Sequence, residues 1–179
     1  MIQSAQTRNT MKEKHKITTY PSKNKKTETY IEDNTSVTKH YYDAKDAYVK
    51  EFISITDGVK KVKHITRDGV TSKLEHFVDE KRDGQETKYF VSKADGTVKS
   101  TKLYENGKLH GENITYNESG KIIKHELFAL GKRVLKYLRE DDDSSKITSV
   151  EMIDKESVQN LPKNEYEKLQ TITQSLSLQ

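Results

Sequence analysis

Seven glycines set the pattern that most limits what this chain can fold into. Gly58, Gly69, Gly84, Gly96, Gly107, Gly120 and Gly131 follow one another at steps of 11, 15, 12, 11, 13 and 11 residues. Six of them end the triplets TDG, RDG, RDG, ADG, ENG and ESG. Steps of this size hold one strand and one turn, repeated. Asp-Gly and Asn-Gly suit tight hairpins because both central residues of a type I′ turn need positive φ, which Gly adopts freely and Asn or Asp adopts best among the rest.

Between the turns the residues alternate as half-buried strands do. Val70, Leu74 and Val78 share one face, as do Thr87, Tyr89 and Val91 with Phe90 opposite. Further on, Ile122, Phe128 and Leu130 oppose Ile123 and Leu127, and Val134 and Leu138 oppose Leu135 and Tyr137. Apolar residues therefore accumulate on both faces toward the C-terminal end, which needs a cover. The stretches SVEMIDKESVQ and NEYEKLQTITQSL supply a helical one: Pro162 stands near a helix start, Asn164 and Glu167 match a capping box, and Tyr166, Leu169, Ile172 and Leu176 form one stripe.

The expected fold is mainly β, an elongated antiparallel β-meander of hairpin repeats followed by a C-terminal α-helical segment. Residues 1–35 read as a flexible N-terminal segment, rich in Thr, Lys, Asn and Gln without a sustained period, with room for a strand at its end near Ile31. Residues 36–140 form the hairpin domain, and residues 141–179 an acidic linker, DDDSS, with the helix. About eight or nine strands at roughly 4.8 Å spacing make a sheet on the order of 40 Å across.

Charge and composition narrow the function. Hydrophobic residues are 31% and charged residues 34%, so the core is thin. The chain has no Cys, which excludes a disulfide framework, a thiolate zinc site and a cysteine nucleophile. No stretch approaches the roughly 20 apolar residues of a membrane span, and the first thirty residues lack the apolar core of a secretory signal. The expected location is cytoplasmic. Lys and Arg outnumber Asp and Glu by 21 to 16 over residues 36–140, whereas residues 141–179 carry 4 against 8. A mildly basic body thus precedes an acidic tail.

The segment YENGKLHGENITYNESGKI, residues 104–122, resembles the MORN-type repeat in its bacterial variant form. The resemblance rests on Tyr104, the turn glycine Gly107, Gly111 four residues on, Tyr116 on the same strand, and the next turn at Gly120 and Lys121. It implies stacked hairpins in an elongated meander. Bacterial proteins of this kind, the YwqK-like group, are labelled antitoxin or immunity partners of a toxin, and eukaryotic relatives are associated with membranes and scaffolds.

A P-loop needs a glycine five residues before Gly-Lys and a Ser or Thr after it. The positions before Gly107, Gly120 and Gly131 hold Lys102, Thr115 and Glu126, and Leu109, Ile122 and Arg133 follow the next basic residue. His64 with His76, and His110 with His125, fall on neighbouring strands, yet no third ligand at a telling spacing completes a zinc site. Asp141, Asp142 and Asp143 are consecutive, unlike the alternating ligands of a calcium loop. No metal, cofactor or catalytic residue is expected. The expected function is a non-enzymatic protein–protein interaction module, with a toxin as one form of partner, whose aromatic anchors are Tyr89, Phe90, Tyr104, His110 and Tyr116. The alternative is peripheral binding of RNA or anionic membrane through a lysine-rich sheet face. Lys73, Lys88, Lys99, Lys102, Lys124 and Lys136 are read as edge guards or as that face.

Overall fold

The computed structural model describes residues 13–93, 95–140 and 146–177. They form one antiparallel sheet of 13 strands. In chain order these are β1 (Glu13–Thr19), β2 (Lys25–Glu32), β3 (Thr35–Tyr41), β4 (Val49–Thr56), β5 (Val59–Ile65), β6 (Thr71–Val78), β7 (Lys81–Arg82), β8 (Gly84–Tyr89), β9 (Val98–Glu105), β10 (Lys108–Tyr116), β11 (Ile122–Ala129), β12 (Lys132–Arg139) and β13 (Ile147–Met152). Each strand pairs with the next in sequence, except that β6 pairs with β8 while the two-residue β7 turns back on β6. The sheet is an open meander, not a barrel, and at about 4.8 Å per strand it extends on the order of 50 Å.

Turn chemistry differs between the two rims. On one rim the connections are two-residue turns with both central residues at positive φ: Asp33 and Asn34, Asp57 and Gly58, Asp79 and Glu80, Asn106 and Gly107, Leu130 and Gly131. This is the type I′ pattern that matches strand twist. The other rim carries longer turns, in which the Gly69 N–H donates to Thr66 O and the Gly120 N–H to Asn117 O. Gly84 departs from the turn role expected of it. The hairpin closes earlier, at Asp79 and Glu80, and Gly84 opens β8 at a bulge where the Asp83 N–H donates to His76 O. An asymmetric step of 15 residues in the glycine series is the trace of that bulge.

Residues 13–32, expected to be flexible but for a strand near Ile31, form β1 and β2 instead, with Ile31 in β2. Their Thr residues pair across strands, Thr18 with Thr27 and Thr29 with Thr38, and Glu28 is buried beneath Tyr41. Cross-strand hydroxyl pairs supply what an apolar period would have announced. The expectation for residues 1–12, like those for Ala94 in the ADG triplet and for residues 141–145 of the linker, falls outside the described residues. After the linker the expected helix at SVEMIDKESVQ is a strand, β13, followed by a 3-10 turn at Val158–Asn160. Pairing with β12, with Tyr137 opposite Val150 and Leu135 opposite Met152, overrides the helical pattern.

One helix, α1 (Lys163–Ser177), follows Pro162, whose carbonyl accepts from the Glu165 and Tyr166 N–H groups. Asn164 therefore lies inside the first turn and its side chain reaches Glu165, so the capping box does not form. The face turned to the sheet carries Glu165, Leu169 and half-buried Ile172, with Leu161 just before the helix, whereas Tyr166 is exposed. The side chain of Leu176, the last of the expected stripe, is outside the described residues. Leu161 and Leu169 pack with Leu127, Ala129, Val134, Leu135 and Tyr137 in an apolar core at the C-terminal end of the sheet. Among the described residues no helix is long and apolar enough to cross a membrane.

Candidate functional site

Because strand side chains alternate and cross-strand partners share a face, the register assigns every strand residue to a side. One side, the helix face, runs through Glu28, Lys39, Phe52, Lys63, Leu74, Thr87, Thr101, Ile114 and His125. The opposite side runs through Thr38, Ile53, Val62 and Glu75, and on through Lys102, Asn113, Glu126 and Lys136. The two sides carry charge differently.

The opposite side holds the buried carboxylates of β6, β8 and β11. Glu75 is 4% exposed and accepts from Lys73 at 2.7 Å, His64 at 2.8 Å and Arg82 at 2.9 Å. Burial raises its pKa, but the hydrogen bonds from Lys73, His64 and Arg82 outweigh it and hold the carboxyl at about 2. Glu126, 1% exposed, repeats the arrangement with Lys124 at 3.0 Å, Arg133 at 2.7 Å and Asn113 at 3.2 Å. Glu86 lies 3.9 Å from both Arg82 and Lys88. The signal for these cages stands in the sequence: KLEHFVDEKR at 73–82 and KHELFALGKR at 124–133 share the form K-x-E-x-F-x-x-x-K-R. It goes unseen when glycines alone are counted. The strand lysines expected to present a binding face belong largely here: Lys73, Lys88 and Lys124 pair with buried glutamates, and Lys102 stands opposite Glu86 in register.

The helix face between β3 and β9 has the reverse character. Glu51, Glu75 and Glu86, the carboxylates inside strands β4, β6 and β8, all point away from it, so Lys61, Lys63 and Lys99 stand there without a facing carboxylate until Glu105 at the end of β9, while Lys39 at its edge faces the buried Glu28 of β2 and, more weakly than Tyr41, helps hold that carboxyl low. None of the four has a carboxylate within ion-pair distance among the described residues. Lys39 lies over the rings of Tyr30 and Phe52, 5.4 and 5.9 Å from their centroids, and Lys99 over Phe90 at 5.6 Å. Between β5, β6 and β8 a groove of about 470 Å³ opens onto this face, lined by Lys63, Val70, Thr71, Leu74 and Tyr89, with Asp68 in the turn at its rim. No second layer covers β3–β9 among the described residues, since α1 sits over the C-terminal strands.

The five expected anchors do not share this surface. Tyr89 lines the groove, and Phe90 follows it, donating its N–H to Thr97 O. Tyr104 faces the opposite side, under the Arg82 guanidinium at 5.5 Å. His110 is a hairpin clamp, with Nδ1 accepting from the Leu130 N–H at 3.2 Å and Nε2 lying 3.0 Å from Glu105. Tyr116 ends β10 opposite Ile122. Lys39, Lys61 and Lys63 were not singled out by sequence; alternation against Glu51 and Glu75 is the signal that finds them.

Titratable groups gather in two further places. Under α1, His125 Nε2 is 3.1 Å from Glu112, which Lys168 also contacts, and the His125 hydrogen bond followed by Lys168 holds the Glu112 carboxyl at about 2. Burial raises Glu165 beside them. On the opposite side, His40, Glu51, His64 and Glu75 form a chain across β3–β6 with separations of 3.7, 3.5 and 2.8 Å. His64 and His76 sit on neighbouring strands but on opposite faces. Among the described residues no group of three or more His, Cys, Asp or Glu is placed to hold a metal ion.

No family model and no curated protein matches this chain. Among solved structures it is similar to S. aureus TarM, crystallised with fondaparinux, α-GlcNAc-glycerol and UDP, at 17% identity and a TM-score of 0.40 over 56% of this chain. The chain spans 21% of the length of that protein.

Proposed function

We propose that this chain is a non-enzymatic interaction module that binds another protein through the helix face of its sheet between β3 and β9. The observation that carries the reading is the sorting of charge: buried glutamates hold the lysines of one face in cages, while on the other face Lys61, Lys63 and Lys99 have no such partners and Lys39 faces Glu28 on β2 without reaching ion-pair distance. A fold that needed these lysines for its own stability would pair them; unpaired cations beside half-buried aromatic and aliphatic side chains suit an interface. The repeat resemblance supports one specific form of the reading, an antitoxin or immunity-type partner of a toxin.

The same lysines support a second reading, peripheral contact with RNA or an anionic membrane. The test separates the two. The full chain is used to capture partners at physiological salt after nuclease and detergent treatment, and the bound material is identified by mass spectrometry. A stoichiometric protein supports the module; recovery that disappears with nuclease or detergent transfers the face to nucleic acid or lipid.

A further inference from the structure

The groove on the helix face is bounded by cations on one side and closed by apolar side chains at its floor. Leu74 on β6 and Tyr89 on β8 both line it, Leu74 standing opposite Thr87 two residues before Tyr89, and Lys63 stands on the adjacent strand. Lys61 lies two residues along β5, about 7 Å from Lys63, and Lys39 lies two strands away, roughly 10 Å off, with Phe52 between them in register. We propose that this groove binds an acidic segment of a partner protein, one apolar side chain seating against Leu74 and Tyr89 while flanking carboxylates meet Lys39, Lys61 and Lys63. The proposal rests on the protein-binding reading above and names the chemistry of the partner.

Three features favour an acidic peptide over other polyanions. The cations are lysines, point charges without the bidentate fork that arginine offers to phosphate. Tyr30 and Phe52 on this face are capped by Lys39, which leaves no run of open rings beside the lysines on which successive bases stack. The apolar groups, Leu74 and Tyr89, are recessed and half-buried, whereas a membrane contact uses apolar side chains that protrude. A groove of about 470 Å³ accommodates a side chain or two of a peptide. Asp68 at the rim excludes a carboxylate from that corner and directs the acidic residues toward β3 and β5.

The experiment is selection of a random peptide library displayed on phage against the full chain, followed by anisotropy titration of the enriched peptides. Enrichment of Asp and Glu around a Leu, Phe or Tyr is expected. The double substitution Lys39→Glu with Lys63→Glu is expected to weaken the enriched peptides by about tenfold or more. Lys102→Glu, a charge reversal on the opposite face, is expected to change them by less than roughly twofold. Leu74→Ala tests the groove separately, and circular dichroism confirms that each variant folds.

Peptides enriched without acidic residues, or weakened equally by Lys102→Glu, overturn the acidic-partner proposal and leave the protein-binding reading standing. No enrichment, with a twelve-nucleotide poly(U) RNA or phosphatidylserine vesicles bound through Lys39 and Lys63 instead, overturns both. No binding of any of these probes also overturns the proposal.

Discussion

Glu75 holds three cations on a face that has little apolar core beneath it, so its removal measures what the charge cages contribute. In Glu75→Ala, Lys73, His64 and Arg82 lose their common acceptor, with contacts of 2.7, 2.8 and 2.9 Å. Removing one partner of a buried pair costs about 3–5 kcal/mol when the other is stranded. Here the side chains of Lys73 and Arg82 are 24% and 43% exposed and recover part of their hydration, which places the loss near the lower end. The proton linkage gives a second figure. A fall from 4.5 to about 2 in the folded state, at 1.36 kcal/mol per unit, corresponds to about 3 kcal/mol. For a domain of this size that is a drop in Tm of roughly 6–12 °C.

The assay is urea unfolding of the parent and Glu75→Ala between pH 7 and pH 2.5. The folded pKa lies below the unfolded one, so the stabilisation is complete above about pH 4.5 and fades as pH falls through the folded value near 2. The two proteins should therefore differ by about 3 kcal/mol at pH 7 and converge in acid. A difference under about 1 kcal/mol at pH 7 would refute the reasoning, since the cage would then be a surface ion pair of ordinary strength. So would an undiminished difference at pH 2.5, which would point to lost packing.

Other positions give independent expectations. Glu126→Ala, at the matching place in the second K-x-E-x-F segment, should cost about as much as Glu75→Ala in the same urea assay, about 3 kcal/mol. Gly111→Ala should destabilise by more than Gly58→Ala: both have positive φ, 104° and 78°, but a Cβ at Gly111 would lie 3.1 Å from Leu103 whereas none lies within 4 Å at Gly58. Thermal melts of the two variants decide the order. Glu165→Gln should raise Tm at pH 7. Burial pushes the Glu165 pKa up, so its contribution is present below the unfolded carboxylate range and is lost as pH rises, and the gain should shrink near pH 4. Lys168→Met should speed amide exchange across α1, because Lys168 ties the helix to Glu112 on β10.

The meander was legible because turn chemistry is local. Asp57 with Gly58 and Asn106 with Gly107 take the positive φ pair that a type I′ turn requires, and their identities say so. Asp79 with Glu80 and Leu130 with Gly131 take the same conformation with less suitable residues, held by the strands on either side. Local propensity misplaced the turn near Gly84 for that reason. β1 was missed, and β2 was legible only at Ile31, because threonine pairs and the buried Glu28, held at about 2 by Tyr41 and less strongly by His15, leave no apolar period. β13 was missed because only its pairing with β12 distinguishes it from a helix.

The surface was less legible than the fold. Aromatic side chains drew attention to Tyr104 and His110, yet one lies under Arg82 and the other clamps a hairpin. Whether a lysine is caged or open depends on register, which a single sequence fixes only when each strand is aligned on its neighbours. Lys61 and Lys63 flank Val62, whose cross-strand partner is Glu75; that one pairing places both lysines on the side that Glu51, Glu75 and Glu86 avoid.

The most direct test of the account is charge reversal in the capture experiment. The parent chain, Lys39→Glu with Lys63→Glu, and Lys102→Glu are compared for the protein each retains at physiological salt. The account predicts that one stoichiometric protein is held by the parent and by Lys102→Glu and is lost from the double variant. Equal retention by all three, or loss from Lys102→Glu alone, would contradict the assignment of the helix face as the binding surface.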